Sequence, residues 1–105
     1  MNNLITSPNG IGPRLIMLRN QPVLMDTDVA VIFGVETKRI SEAVKRNPDK
    51  FPKDYMFLLD KQEIAGLKSQ IATLNSGKMP PRYIPKAFTE KGLYMLATLY
   101  FLRYL

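Results

Sequence analysis

Residues 25–47 read MDTDVAVIFGVETKRISEAVKRN, and the glycine in their middle constrains the fold more than any other residue. Before it, Val29, Ile32 and Phe33 fall at i, i+3 and i+4, the period of a helix with one buried stripe, and Asp26 is placed to cap that helix by accepting hydrogen bonds from its free amides. Gly34 ends the helix, because a glycine adopts the left-handed conformation of a helix stop at little cost, and Val35 just beyond it can fold back as an apolar plug. Thr37 is expected to cap a second helix over residues 37–46, with Ile40, Ala43 and Val44 on its buried side. At about 100° per residue this turns Lys38, Ser41, Glu42 and Lys45 toward solvent, with Arg39 and Arg46 flanking them. The small Ala30 lets the second helix cross the first closely, so the expected unit is a helix-turn-helix-like pair whose wedge is filled by Val29, Phe33, Val35, Ile40 and Ala43.

The spacing from Ala30 to Gly34 and on to Ile40 resembles that of bacterial and phage helix-turn-helix repressors. Helix pairs joined by a glycine turn also occur in domains that never touch nucleic acid, so the local pattern leaves both readings open.

With 105 residues the chain is read as one domain, large enough to bury a core without staples. It has no cysteine and no histidine, which removes disulfides, thiolate nucleophiles, histidine-based catalysis and Cys/His zinc sites together. Only carboxylate chemistry is left for an enzyme, and Asp26 with Asp28 suits a helix cap better than an acid–base pair. The expectation is a protein that is no enzyme and holds no cofactor or metal. The first residues lack the build of a secretory leader, and no apolar run reaches the ~18 residues of a membrane span, which points to the cytoplasm.

The net charge of +6 suits a polyanionic partner, and its distribution says more. Residues 1–35 are neutral, residues 36–68 carry eight basic and six acidic groups, and residues 69–105 carry five basic groups against one acidic. The positive excess begins at the second helix.

Residues 1–13, rich in Asn, Gly and Pro without apolar period, read as a flexible arm, and residues 14–105 as the single folded domain. Gly10-Ile11-Gly12 lacks the third glycine, the preceding strand and the following helix of a phosphate loop. Residues 14–19 and 23–25 are expected to form a hairpin turned at Asn20-Gln21-Pro22. Asn47-Pro48-Asp49 breaks the second helix. Residues 55–59 have apolar side chains on both alternate faces, as in a strand covered on both sides. Asp60 and Glu63 form a capping box for a helix burying Ile64, Leu67 and Ile71, slightly weakened by Gly66. Residues 72–81 lose periodicity and read as a basic loop, in which Lys78, with the nearby Arg82, is placed to lie along a phosphate backbone. Residues 82–88 are expected as a strand that Pro85 confines to an edge or a bulge. Thr89 caps the last helix, residues 90–105, whose LYMLATLYFLRYL is apolar around nearly its whole circumference. That helix serves as a central core helix or completes itself against a second copy as a homodimer, whereas Arg103 alone is too little for a lipid surface. The fold class is thus α+β: an N-terminal β-hairpin, a helix-turn-helix-like pair, further short strands and a C-terminal apolar helix.

From about Leu15 to Leu96 the sequence resembles the phage-type ORF-six-N domain, a relative of the KilA-N domain. The resemblance is carried by PVLMDTDVA, FGVETKRISEAVKRN, FPKDYMFLL, LKSQIAT and RYIPKAFTEKGLYML, in the family's order and spacing. It implies a phage or prophage regulatory protein, DNA-binding or antirepressor-like. Family members run on past the YML segment, whereas this chain stops after TLYFLRYL; the expectation is a trimmed or truncated piece whose apolar tail is a substitute ending.

Double-stranded DNA is therefore the expected partner, with the helix of residues 37–46 in the major groove. Lys38, Arg39 and Ser41, near its N-terminal end beside Thr37, are placed to approach base edges, since arginine grips guanine with two hydrogen bonds worth about 1–3 kcal/mol of discrimination. Lys45, Arg46 and Asn47 are placed to hold phosphates, and Glu42 to read cytosine or brace an arginine. The rival reading is a module that captures a repressor or other regulator protein, suggested by the mixed charge of Glu36, Glu42 and Asp49 and by the apolar tail. RNA stacking on Tyr55 and Phe57 is a third reading.

Overall fold

The computed structural model describes residues 14–67 and 83–104, the last four of these by their backbone. Four strands form one antiparallel sheet: β1 (Ile16–Leu18), β2 (Gln21–Met25), β3 (Met56–Leu58) and β4 (Lys86–Phe88), in the order β1-β2-β4-β3. Four helices accompany it among the described residues: α1 (Asp26–Phe33), α2 (Thr37–Arg46), α3 (Lys61–Leu67) and α4 (Glu90–Tyr104), with a 3-10 turn at Pro48–Lys50. The α+β architecture with its N-terminal hairpin is as the sequence implies.

The register sorts side chains onto two faces. Leu24 pairs with Phe88 and Phe88 with Met56, while Met25 pairs with Ala87 and Ala87 with Phe57. Because successive strand residues point to opposite sides, these two rows face opposite ways, and each has its own core. On one side Leu24 and Phe88 pack with Val29, Ala30, Ile40, Val44, Phe51 and Leu96 from the helices and the 3-10 turn. On the other, Val23, Met25, Phe57 and Ala87 pack with Ile16, Leu59 and Leu67 of α3. Leu24, Ile40, Phe88 and Leu96 are fully buried, each worth roughly 1.5–3 kcal/mol. Phe51 meets Phe88 edge-on at 6.2 Å, and Phe33 meets Tyr100 of α4 at 5.1 Å.

Several local expectations hold. Gly34 lies in the left-handed region at φ 70°, and the Val35 amide reaches back to the Ala30 carbonyl at 3.0 Å. Asp60 and Glu63 exchange backbone-to-carboxylate bonds of 2.8 and 2.9 Å. Thr89 accepts from the Gly92 amide at 3.3 Å and donates to the Asp54 carbonyl at 2.7 Å, so one hydroxyl caps α4 and ties it to the segment before β3.

Others are corrected. The hairpin turns at Arg19-Asn20, both at positive φ, rather than at residues 20–22; two left-handed residues match the twist of the flanking strands. Met25 and Glu36, not Asp26 and Thr37, occupy the cap positions of α1 and α2, and neither makes a side-chain cap bond. Ile32 is half exposed, because Val29 and Ala30 carry the buried side of α1. Leu58 is half exposed where β3 passes beyond the helices, so residues 55–59 are not covered on both sides throughout. The expected strand over residues 82–88 is Lys86–Phe88, and it lies inside the sheet. Pro85 is compatible with this because it precedes the strand and contributes only its carbonyl, to the Leu59 amide at 3.1 Å. Tyr94 of α4 is exposed, so that helix is not buried all round. The arm of residues 1–13, Ile71 and the loop of residues 72–81 lie outside the described residues, as do Lys78 and Arg82.

Candidate nucleic-acid interface

The helix pair is held from below by the sheet. Ile40 and Val44 pin α2 to the core, and on the far side Lys38, Arg39, Lys45 and Arg46 are exposed. Thr37, Ser41, Glu42 and Asn47 are half-buried at the margins of that face. Of the eight residues of α2 and its stop singled out by sequence, four are thus exposed and four half-buried, with Ser41 on one flank beside Lys86 and Arg39, Arg46 and Asn47 on the other beside α4.

Asn47 is engaged by the fold, its Nδ2 donating to the Ala43 carbonyl at 2.9 Å to close the helix. Glu42 braces Arg39 at 3.2 Å, one of the two roles open to it. Lys38 lies 3.8 Å from Glu36; both side chains are exposed, so the pair is weak. Among the described residues no carboxylate pairs with Lys45 or Arg46, which sit in the last turn of α2, where the helix dipole favours cations. At the other end Glu36 holds the cap position without a side-chain cap bond, and the Arg39 amide closes the first turn on the Glu36 carbonyl at 2.9 Å.

Two groups that sequence reasoning passed over border this face. Lys86 of β4 donates from Nζ to the Ser41 Oγ at 3.3 Å. Its signal was the alternation within Lys86-Ala87-Phe88, which puts Lys86 on the same side as the core residue Phe88. On the other flank, α2 and α4 enclose a groove of about 390 Å³, with Val35, Ala43, Leu99 and Tyr100 as its apolar lining and Arg39 and Arg46 among its polar residues.

Asp26, expected only as a cap, is fully buried. Its Oδ1 accepts from the Thr27 amide at 2.9 Å and from the Tyr83 hydroxyl, while Oδ2 has no hydrogen-bond partner among the described residues. Burial pushes the Asp26 carboxyl above its ordinary value despite the Tyr83 hydrogen bond. Burial, followed by the Asp26 charge, pushes the Tyr83 hydroxyl well above its ordinary value, so it stays a donor. Asp28 accepts from the Arg14 amide at 3.3 Å, and burial raises its carboxyl too.

Tyr55 and Phe57, the candidates for stacking, are half-buried and buried, Phe57 lying within the core with the Arg19 guanidinium 3.9 Å above its ring. Among the described residues there is no cluster of acidic side chains placed to hold a metal, and no helix is long and apolar enough to cross a membrane.

Compared with known proteins, the chain finds no significant match among curated proteins or among solved structures. A family model does match. The ORF6N domain covers residues 13–99, from the start of the hairpin through most of α4, and the chain belongs to the ORF6N domain family.

Proposed function

We propose that this chain is the DNA-binding domain of a phage-type regulatory protein, with α2 laid in the major groove of duplex DNA. The observation that carries the reading is the exposed row Lys38, Arg39, Lys45 and Arg46 on the second helix of a glycine-locked pair. Arg39 is the base-reading candidate, since a guanidinium braced by Glu42 presents its remaining donors in a fixed fork. Lys45 and Arg46 hold phosphates, and Lys38 steers.

Each phosphate contact releases counterions, so affinity for a duplex falls on a log–log plot with salt by a slope of about −0.9 per contact. Fluorescence anisotropy with a labelled duplex at several salt concentrations tests the reading. Lys45→Ala and Arg46→Ala should each flatten the slope by about one unit. If neither they nor Arg39→Ala alters affinity at low salt, α2 is not the DNA surface.

The groove between α2 and α4 favours a second reading, capture of a regulator protein, because apolar Leu99 and Tyr100 stand beside Arg46 there. Binding of that kind responds little to salt, which separates the two.

A further inference from the structure

We infer that Lys86, carried by the sheet rather than by the helix pair, forms with Ser41 a phosphate-binding pair at the edge of the DNA surface. This rests on the DNA reading above and extends it to a residue outside α2.

The placement follows from register. Lys86 is two residues before Phe88 and so emerges on the helix-covered side of the sheet, at its rim, where α2 passes. Its Nζ reaches the Ser41 Oγ at 3.3 Å. An ammonium has three donors and no acceptor, so this bond spends one and leaves two. It also occupies an oxygen lone pair of Ser41, turning that hydroxyl's hydrogen away from the lysine. Two groups side by side then offer donors outward, and what complements them is an anionic oxygen.

Charge points the same way. Among the described residues Lys86 makes no ion pair; the Asp26 carboxyl at the start of α1 feels its charge but directs Oδ1 to Tyr83 and Thr27, and burial keeps that carboxyl's proton held more tightly than usual. The helix contributes Lys45 one turn from Ser41, so a row of cations runs from β4 onto α2. In a duplex with α2 in the major groove, the phosphates lie along the groove walls, beside the helix rather than beneath it. A cation on the supporting sheet, held at the flank of α2, is where such a wall passes. Being on a strand inside the sheet, it is also more rigidly placed than a lysine in a loop.

The test uses the full chain and a random-sequence 30-base-pair duplex, with salt dependence read by anisotropy. Lys86→Gln should flatten the log–log slope by about 0.9 and weaken binding roughly equally for unrelated duplexes, and Lys86→Arg should restore the slope. Ser41→Ala should weaken binding, and combined with Lys86→Gln should cost less than the two separate losses added, as for two groups on one phosphate. Should Lys45→Ala flatten the slope while Lys86→Gln leaves it intact, the pair is not a phosphate site and the DNA reading survives. Should both leave it intact, the DNA reading itself falls, and this inference with it. A measurement on the unaltered chain removes dependence on the variants' folding: acetylation with and without duplex, read by mass spectrometry. Protection of Lys86 and Lys45, but not of Lys61 on the opposite side of the sheet, is the expected pattern; an unprotected Lys86 beside a protected Lys45 overturns the inference.

Discussion

The backbone of Gly92 rests directly on the carbonyl of Tyr55: a methyl group at position 92 would overlap that oxygen. The same carbonyl accepts from the Thr89 amide at 3.0 Å, so the first turn of α4 is seated on the segment that leads into β3. Gly92→Ala should therefore destabilise the fold by more than about 3 kcal/mol, although alanine is the better helix former. Thermal melting should show a fall of roughly 15 °C. A variant that melts with the parent would mean that α4 is not seated there.

Gly34 and Gly66 separate backbone strain from lack of space. Neither has an atom within 4 Å of an added methyl group, but Gly34 sits at φ +70°. Gly34→Ala should cost about 1–2 kcal/mol through the left-handed backbone alone. Gly66→Ala, on exposed helix, should gain about 0.5–1 kcal/mol. Urea unfolding of both variants measures the difference, and equal signs would count against the turn described here.

Asp26 gives stability a pH dependence of one sign. Burial raises its carboxyl above the ordinary 3.8, so the folded chain holds that proton more tightly than the unfolded one. Its contribution is complete below the unfolded value and is lost as pH rises through the folded value. Asp26→Asn keeps an acceptor for Tyr83 and Thr27 and removes the charge. Relative to the parent, its melting temperature should rise as pH is raised above the ordinary 3.8; a difference independent of pH would show that the buried carboxyl's proton affinity does not change on folding.

Glu63 acts in the opposite direction. The hydrogen bonds from Arg19, at 2.9 and 3.0 Å, hold its carboxyl below the ordinary 4.5. Stability from this group is present above the unfolded value and is lost as pH falls through the lower folded one. Glu63→Gln should melt a few degrees lower at pH 7 and converge on the parent as the solution is acidified below pH 4. Parallel melting curves at both pH values would dissociate Arg19 from Glu63.

Glu42 braces Arg39, and on the proposed DNA surface its carboxylate would repel phosphates. Glu42→Gln removes a carboxylate from the exposed face, and nonspecific duplex affinity at low salt should rise several-fold, as one repulsion is lifted. Selectivity among duplexes should fall at the same time, because Arg39 loses its brace. Unchanged affinity and selectivity together would place Glu42 outside the contact.

What could be read from sequence was what neighbours along the chain decide. Gly34 with Val35, Asp60 with Glu63, and Thr89 at the head of α4 are each settled within a few residues, and each forms as the pattern implies. The errors arose where a distant partner decides. Arg19 takes a positive φ that no arginine propensity foretells, and it is held there by Glu63, 44 positions away, and by the Phe57 ring. Pro85 argued for an edge or a bulge, yet the strand it precedes lies between β2 and β3. Asp26 looked like a surface cap until Tyr83, 57 positions on, closed over it. At the candidate DNA face the α2 residues were visible as a periodic row, whereas Lys86 becomes their neighbour only through sheet register.

The order β1-β2-β4-β3 has a consequence for synthesis on the ribosome. The strand that joins the two halves of the sheet is the last to be made, so the opening hairpin and β3 wait without their common neighbour until Phe88 has emerged. Until then the apolar undersides of α1 and α2 have only Leu24 of β2 beneath them and lack Phe88, and surface left open in this way favours chaperone binding or self-association. The helices that carry the cationic row are thus among the first parts translated and among the last to be fixed in place.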